Sequence, residues 1–298
     1  MLLMRRPIRV PSAAGAALAL ACGGGEEAAR SPAAEAPETV HVVRDLPIPE
    51  SAALGPDGRY YVSVMGEFGT AGDGRIVAVH PETWEVSTVA EGLDDPKGLA
   101  FLGDMLYVTD RTVVRSVGPG GEVRVFVPAQ AFPRTPKFLN DLAVDPAGNL
   151  YVSDSGEFEA ADGVVYRIGR GGQPEALLTA DGAPLSSPNG LVVDAAGNLW
   201  IVDLHTGDLL RRSPEGVVET VAGGFGGGDG LVFGPAGHLY VSDFRGGRVL
   251  RVTWSESGAQ SEVVAQLPGA ADIGIDPARN RLLVPQLQEN TLTVLALP

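Results

Sequence analysis

Cysteine occurs once, at Cys22, so the chain can form no internal disulfide and cannot assemble a thiolate metal site. Basic residues are few: 22 Lys and Arg stand against 37 Asp and Glu, a formal net charge of −15 with an isoelectric point near 4.6. That balance excludes nucleic acid and anionic membrane surfaces as main partners. It suits a soluble protein that binds a cation, and equally a plain acidic surface. Helical periodicity is absent beyond the N-terminus, and no apolar run reaches the roughly 20 residues a membrane span needs. Turn formers are plentiful instead, with 40 Gly and 23 Pro in 298 residues. A 44% hydrophobic content is enough to bury a sizeable core, as one large all-β domain or as two smaller ones.

The first residues read as an export signal. Arg5, Arg6 and Arg9 precede the short apolar run "VPSAAGAALALA", which ends at Cys22. A small residue, Ala21, directly before a lone Cys resembles a bacterial lipoprotein signal. Ala19 takes the place where Leu is usual, with Leu18 and Leu20 beside it. Residues 1–22 are therefore expected to be a signal peptide with Cys22 as the lipidation site, an ordinary cleaved signal being the alternative. Residues 23–38, "GGGEEAARSPAAEAPE", read as a flexible tether, and 39–298 as the folded domain. The expected location is outside the cytoplasm, anchored in the periplasm or at the cell surface, with the lipid as the only membrane contact.

A repeat runs through that domain. "RYYVSV", "MLYVTD", "NLYVSD", "NLWIVD", "HLYVSD" and "RLLVPQ" align at Tyr61, Tyr107, Tyr151, Trp200, Tyr240 and Leu283, spaced 46, 44, 49, 40 and 43 residues apart. Such spacing is that of four-stranded propeller blades. In the fourth unit the strands are expected at Leu191–Val193, Leu199–Val202, Asp208–Arg212 and Val217–Val221. The last unit offers only three, at 271–275, 282–285 and 291–297, and the stretch 39–46 supplies its fourth. The fold class is thus an all-β, six-bladed β-propeller, closed by an N-terminal strand joining the last blade. An open array would leave unpaired edges.

One repeat position varies in chemistry. Just before the first strand of each blade stand Glu50, Lys97, Asn140, Asn189, Asp229 and Ala271. First strands line the central channel, so these six converge at one mouth. Four carry a side-chain oxygen, a set that suits a hard cation such as calcium, with magnesium or manganese as alternatives. No His or Cys is among them, which disfavours zinc and copper. Asn and Asp also form turns before strands, so the same residues have a purely local reading.

With "PES" at Glu50, "LNDLAVDPAGNLYVSD" at Asn140, "SPNGLVVDAAGNLW" at Asn189 and "GGDGLVFGPAGHLY" at Asp229, the chain resembles the gluconolactonase–regucalcin family of six-bladed propellers over roughly residues 45–290, and more distantly the paraoxonases. The resemblance implies a divalent cation held by Glu50, Asn140, Asn189 and Asp229. Two departures stand out. Where paraoxonases carry a His in a "PHG" setting, this chain has Lys97 in "DPKG". Where the gluconolactonase branch has an Arg two residues before the third-blade Asn, this chain has Lys137 one residue further away.

The surrounding loops are rich in phenylalanine. Residues 66–74 and 156–163 are long, and the link 128–138 enters the same face, so Phe68, Phe132, Phe138, Phe158, Phe225 and Phe244 are expected around a polar centre. The substrate-binding candidates are Lys97, Phe138, His205 and Arg245, and the catalytic candidate is Asp229 as general base. Asp154, Asp203 and Asp243 recur after the second strand and read as framework. The expected function is a calcium-dependent lactonase or esterase, a monomer acting on a small-molecule lactone or ester. The alternative is a non-catalytic, membrane-tethered propeller that binds a small molecule or protein.

Overall fold

The computed structural model describes residues 37–158, 160–256 and 258–297. Cys22 and the expected signal and tether lie outside the described residues, apart from the last two residues of the tether. Among the described residues twenty-four β-strands form six four-stranded antiparallel sheets, and one 3₁₀ turn spans Ala129–Ala131. The short runs leave no segment among the described residues long enough for an α-helix.

Strand β1 (Glu38–Val43) pairs with β24 (Thr291–Ala296), which continues through β23 (Arg281–Gln286) to β22 (Gly274–Asp276). The chain's N-terminal strand therefore completes the sixth sheet and closes the ring, as the sequence predicts. His41 of β1 stacks on Trp84 of the first sheet, centroids 4.3 Å apart and planes 7° from parallel. The Arg281 guanidinium lies 5.3 Å from the same indole, so the closing strand is gripped by blades one and six together.

Each sheet is too small to bury its own faces, and the core is shared between neighbours. One cluster joins Val62, Val64 and Val77 of blade one to Leu283, Leu292 and Val294 of blade six. Five further clusters repeat the arrangement around the ring.

The innermost strands are β2 (Pro49–Leu54), β6 (Pro96–Leu102), β10 (Leu139–Val144), β14 (Pro188–Val193), β18 (Gly228–Phe233) and β22. They pack directly on one another around the axis. The approach is close enough to require glycine. A methyl group at Gly190 would lie 2.2 Å from the Asp229 carbonyl oxygen, and one at Gly230 2.4 Å from the Ile273 nitrogen.

The first strands depart from the sequence pattern, that of blade six starting later than expected, at Gly274 rather than 271, and that of blade four earlier. In blade four the strand begins at Pro188 rather than Leu191, so Asn189 is inside it. The reason is a β-bulge. The ladder places Pro188 opposite Asp203 and Leu191 opposite Ile201, so two residues, Asn189 and Gly190, face one, Val202. The same irregularity falls at the same place in blades one, two, three and five.

Candidate functional site at the channel

The bulge is what presents the variable residues. An extra residue breaks the in–out alternation of a strand and re-aims a side chain. Glu50, Lys97, Asn140, Asn189 and Asp229 each occupy the first bulge position of their blade. In blades one, three and five the N–H of the next residue is accepted by a hydroxyl from the second strand. Ser63 Oγ accepts from Ser51 at 2.9 Å, Ser153 Oγ from Asp141 at 2.9 Å and Ser242 Oγ from Gly230 at 2.7 Å. The Ser in "YVSD" thus supports the bulge. The Asp that follows it clamps the loop entering the blade. Asp203 accepts from the Ser186 and Ser187 N–H groups at 2.7 and 2.8 Å, and Asp243 from Gly227 at 2.8 Å. Asp154 accepts from Phe138 N–H at 2.8 Å. These recurring carboxylates are framework, fully buried and engaged.

All five bulge residues line one cavity of about 490 Å³. Glu50, Asn140, Asn189 and Asp229 are each at most 7% exposed. Asn140 Nδ2 donates to Ser155 Oγ at 3.1 Å, which leaves its oxygen as the free end of the amide. Glu50 Oε2, Asn189 Oδ1 and Asp229 Oδ1 are buried acceptors with no hydrogen-bond partner. An unpaired buried acceptor costs about 1–3 kcal/mol, and three facing one cavity call for a hydrogen-bond donor or a cation there. Two carboxylates and two amides are oxygen donors of the kind that could hold a hard cation. Among the described residues no group of three or more His, Cys, Asp or Glu is placed to hold a metal ion, and two of the four ring donors are amides.

A second buried layer lies one residue further on, where Ser51, Asp141 and Asp272 meet. Ser51 Oγ donates to Asp272 Oδ2 at 2.5 Å, and the Leu191 N–H donates to Asp141 Oδ2 at 2.6 Å. The electrostatics are dominated by burial. Desolvation raises Glu50 and Asp229 well above the ordinary carboxylate range, and repulsion from Asp272 adds to both. Asp141 is raised in the same way, and burial lifts Asp272 to about 7 against the hydrogen bond from Ser51. Lys97 is pushed below its ordinary value by desolvation, opposed by attraction to Glu50. Its ammonium donates to the Asp95 carbonyl at 3.2 Å and sits 4.3 Å from the Phe138 ring centroid.

Of the six expected rim phenylalanines, Phe68, Phe138, Phe158 and Phe244 line the cavity. Phe132 and Phe225 do not. The turn at Ala129–Ala131 carries Phe132 into the core against Tyr166, centroids 4.9 Å apart. Phe225, held by its N–H to the Gly207 carbonyl at 3.1 Å, is fully buried between blades four and five. Of the substrate-binding candidates, Lys97 and Phe138 line the cavity, whereas His205 and Arg245 do not. His205 is exposed, and its N–H donates to Asp203 Oδ1 at 3.0 Å. Arg245 is exposed and lines a neighbouring hollow with Gln266 and Pro268. Lys137 is held by Glu157 and Asp162 at 2.8 and 2.6 Å.

The sequence reading singled out Phe244 but missed the wall residues at the same repeat position in three other blades. The residue immediately after the second strand is Met65, Leu204, Phe244 and Leu287 in blades one, four, five and six, and all four line the cavity. The N–H of each donates to the segment just ahead of its blade's innermost strand, as in Leu204 to the Ser187 carbonyl at 2.8 Å. The signal was present in the repeat: an apolar residue four places beyond the anchor in four of the six blades, where a turn would ordinarily be polar.

The fold and site together define a six-bladed propeller with an oxygen-lined cavity on its innermost strands. Solved structures share that fold. The chain is 18% identical to a gluconolactonase from Xanthomonas campestris, with a TM-score of 0.70, covering 89% of this chain and 95% of that one. It is 19% identical to regucalcin, a calcium-binding protein from Agrobacterium tumefaciens, with a TM-score of 0.68, covering 86% and 91%. A catalytically inactive virginiamycin B lyase from Staphylococcus aureus shares it at 12% identity and a TM-score of 0.59, covering 87% and 99%. At these identities the likeness is one of fold. No family model and no curated protein matches the chain.

Proposed function

We propose that this protein hydrolyses a lactone or related carboxylic ester in the cavity, with a calcium ion held by Glu50, Asn140, Asn189 and Asp229. The observation that carries the reading is the set of three buried, unpartnered oxygens from three blades on one cavity. The shared fold with a gluconolactonase and with a calcium-binding regucalcin supports it. A divalent cation at those oxygens would supply Lewis acidity toward the substrate carbonyl.

The chain's own groups divide the remaining work. Lys97, with donors left beyond the Asp95 carbonyl, meets the carbonyl oxygen as negative charge develops on it. The Asp229 carboxylate, on the cavity beside the ring oxygens, takes the proton of the attacking water. The water oxygen bonds to the carbonyl carbon, the ring C–O bond breaks, and the proton returns to the departing oxygen to give a hydroxy acid. The phenylalanine walls keep further water out.

The test is turnover of a lactone and aryl-ester panel by protein stripped with EDTA, then supplied with calcium. Activity absent after stripping and restored by calcium is expected. A rate indifferent to both treatments would overturn the calcium-dependent reading.

A further inference from the structure

The hydrolase reading leaves the substrate's remaining atoms unassigned, and the cavity walls describe them. Apart from the bulge residues the lining is mostly apolar, and includes Phe68, Phe138, Phe158, Phe244, Leu204 and Leu287. The three rings on the side of blades one and three form a continuous face. Phe68 lies 6.3 Å from Phe138, and Phe138 lies 4.9 Å from Phe158. That face runs from the outer rim, where Phe68 is 58% exposed and Phe158 37%, down to Lys97 against Phe138.

Beyond the bulge residues the lining offers only Gln288 and Asn290 as polar side chains. The Asn290 Oδ1 is already engaged, accepting the Ile48 N–H at 3.0 Å. A sugar lactone brings several hydroxyls around its ring. Here most would be desolvated against phenyl and leucine side chains with nothing to bond, and burial without a partner is unfavourable for each of them. An alkyl or aryl tail meets the opposite situation. Its burial also covers rings that otherwise stand in water, and exposed aromatic patches of this kind mark binding surfaces.

We infer that the site selects lactones or esters with an apolar tail lying along the Phe68–Phe138–Phe158 face, and discriminates against polyhydroxylated sugar lactones. This rests on the hydrolase reading for the reacting end of the substrate, but the tail's binding can be read without turnover.

The experiment pairs two series on the calcium-loaded protein. Hydrolysis is measured for γ-butyrolactones with methyl, propyl, pentyl and heptyl tails and for glucono-δ-lactone. Binding of the corresponding γ-alkyl lactams, which resist hydrolysis, is measured by calorimetry. The expected result is a rise of about fourfold in kcat/KM and in lactam affinity per added methylene until the cavity is filled. Glucono-δ-lactone should be the poorest substrate. In the Phe68→Ala, Phe158→Ala double variant, both exposed positions, the rise per methylene should fall to about twofold. Faster turnover of glucono-δ-lactone than of every alkyl lactone overturns the inference and leaves the hydrolase reading intact. Lactam affinity that climbs with chain length while no lactone is hydrolysed supports the inference and removes the hydrolase reading. Lactam affinity independent of chain length overturns the inference, whatever is hydrolysed.

Discussion

Glu50 and Asp229 bring formal charge to the ring, whereas Asn140 and Asn189 bring neutral carbonyl oxygens, so substitutions at equal size separate charge from shape. Asp229→Asn keeps the side-chain volume and removes one of the two carboxylates. Calcium affinity is expected to fall by roughly 100-fold, the scale on which ligand charge tunes oxygen sites, and turnover should vanish with the base. Asn189→Asp does the reverse. It adds a third carboxylate beside an existing one, so calcium affinity should hold or rise by roughly tenfold while turnover falls, because the extra negative charge weakens the pull on the carbonyl. Calcium calorimetry and lactone hydrolysis on both proteins check this. If Asp229→Asn binds calcium as the parent does, the ring residues serve only their bulges.

At the scale of the element, the closing strand makes a prediction of its own. Residues Glu38–Val43 pair along Thr291–Ala296 and stack His41 on Trp84, yet only Val43 of the six is buried. Their contribution is therefore mostly hydrogen bonding, about 0.5–1.5 kcal/mol for each bond of the ladder. Chain beginning at residue 44 should melt about 10 °C below chain beginning at residue 37, on a scale of about 2–4 °C per kcal/mol for a domain of this size. Equal midpoints would mean that the ring does not depend on this strand.

The elements also show what could be read in the chain and what could not. The second strands were legible because their signal is local: "LYVSD" carries the alternation, the bulge-supporting Ser and the clamping Asp in five consecutive residues. The ring closure was legible by counting, since three strands need a fourth. The bulge was not, because an extra residue is a property of register between two strands and leaves no mark in either alone. Asn189 and Asp229 were found by their oddity within the repeat, and the structure explains the oddity. Phe132 and Phe225 were misplaced for a related reason. Composition says that a loop carries an aromatic ring, but the side to which the ring turns depends on the backbone around it, here the Ala129–Ala131 turn and the Phe225–Gly207 hydrogen bond.

Taken as a whole, the molecule places Glu50, Asp141, Asp229 and Asp272 at its centre with Lys97 as the buried cation among them. Burial raises all four carboxylates above their ordinary values, Asp272 to about 7. The native chain therefore holds these protons more tightly than the unfolded chain. Between the ordinary carboxylate pKa near 4 and the raised native values, the unfolded chain binds fewer protons, and stability must fall as pH rises. Asp57, Asp145, Asp194 and Asp276 have lowered values, and their contribution is lost only as pH falls through the ordinary carboxylate range and below, outside that window. In EDTA the melting temperature should thus be higher at pH 6 than at pH 8. Calcium, by neutralising the ionised ring, should raise it more at pH 8 than at pH 6. The net charge of −15 also disfavours the compact state at high pH, so the cluster's own share needs a variant. Asp272→Asn keeps a side chain of the same size against Ser51 and cannot ionise. Its melting temperature in EDTA should change less between pH 6 and pH 8 than the parent's. Parallel pH profiles for the two proteins would assign the trend to surface charge and leave the buried carboxylates without influence on the fold.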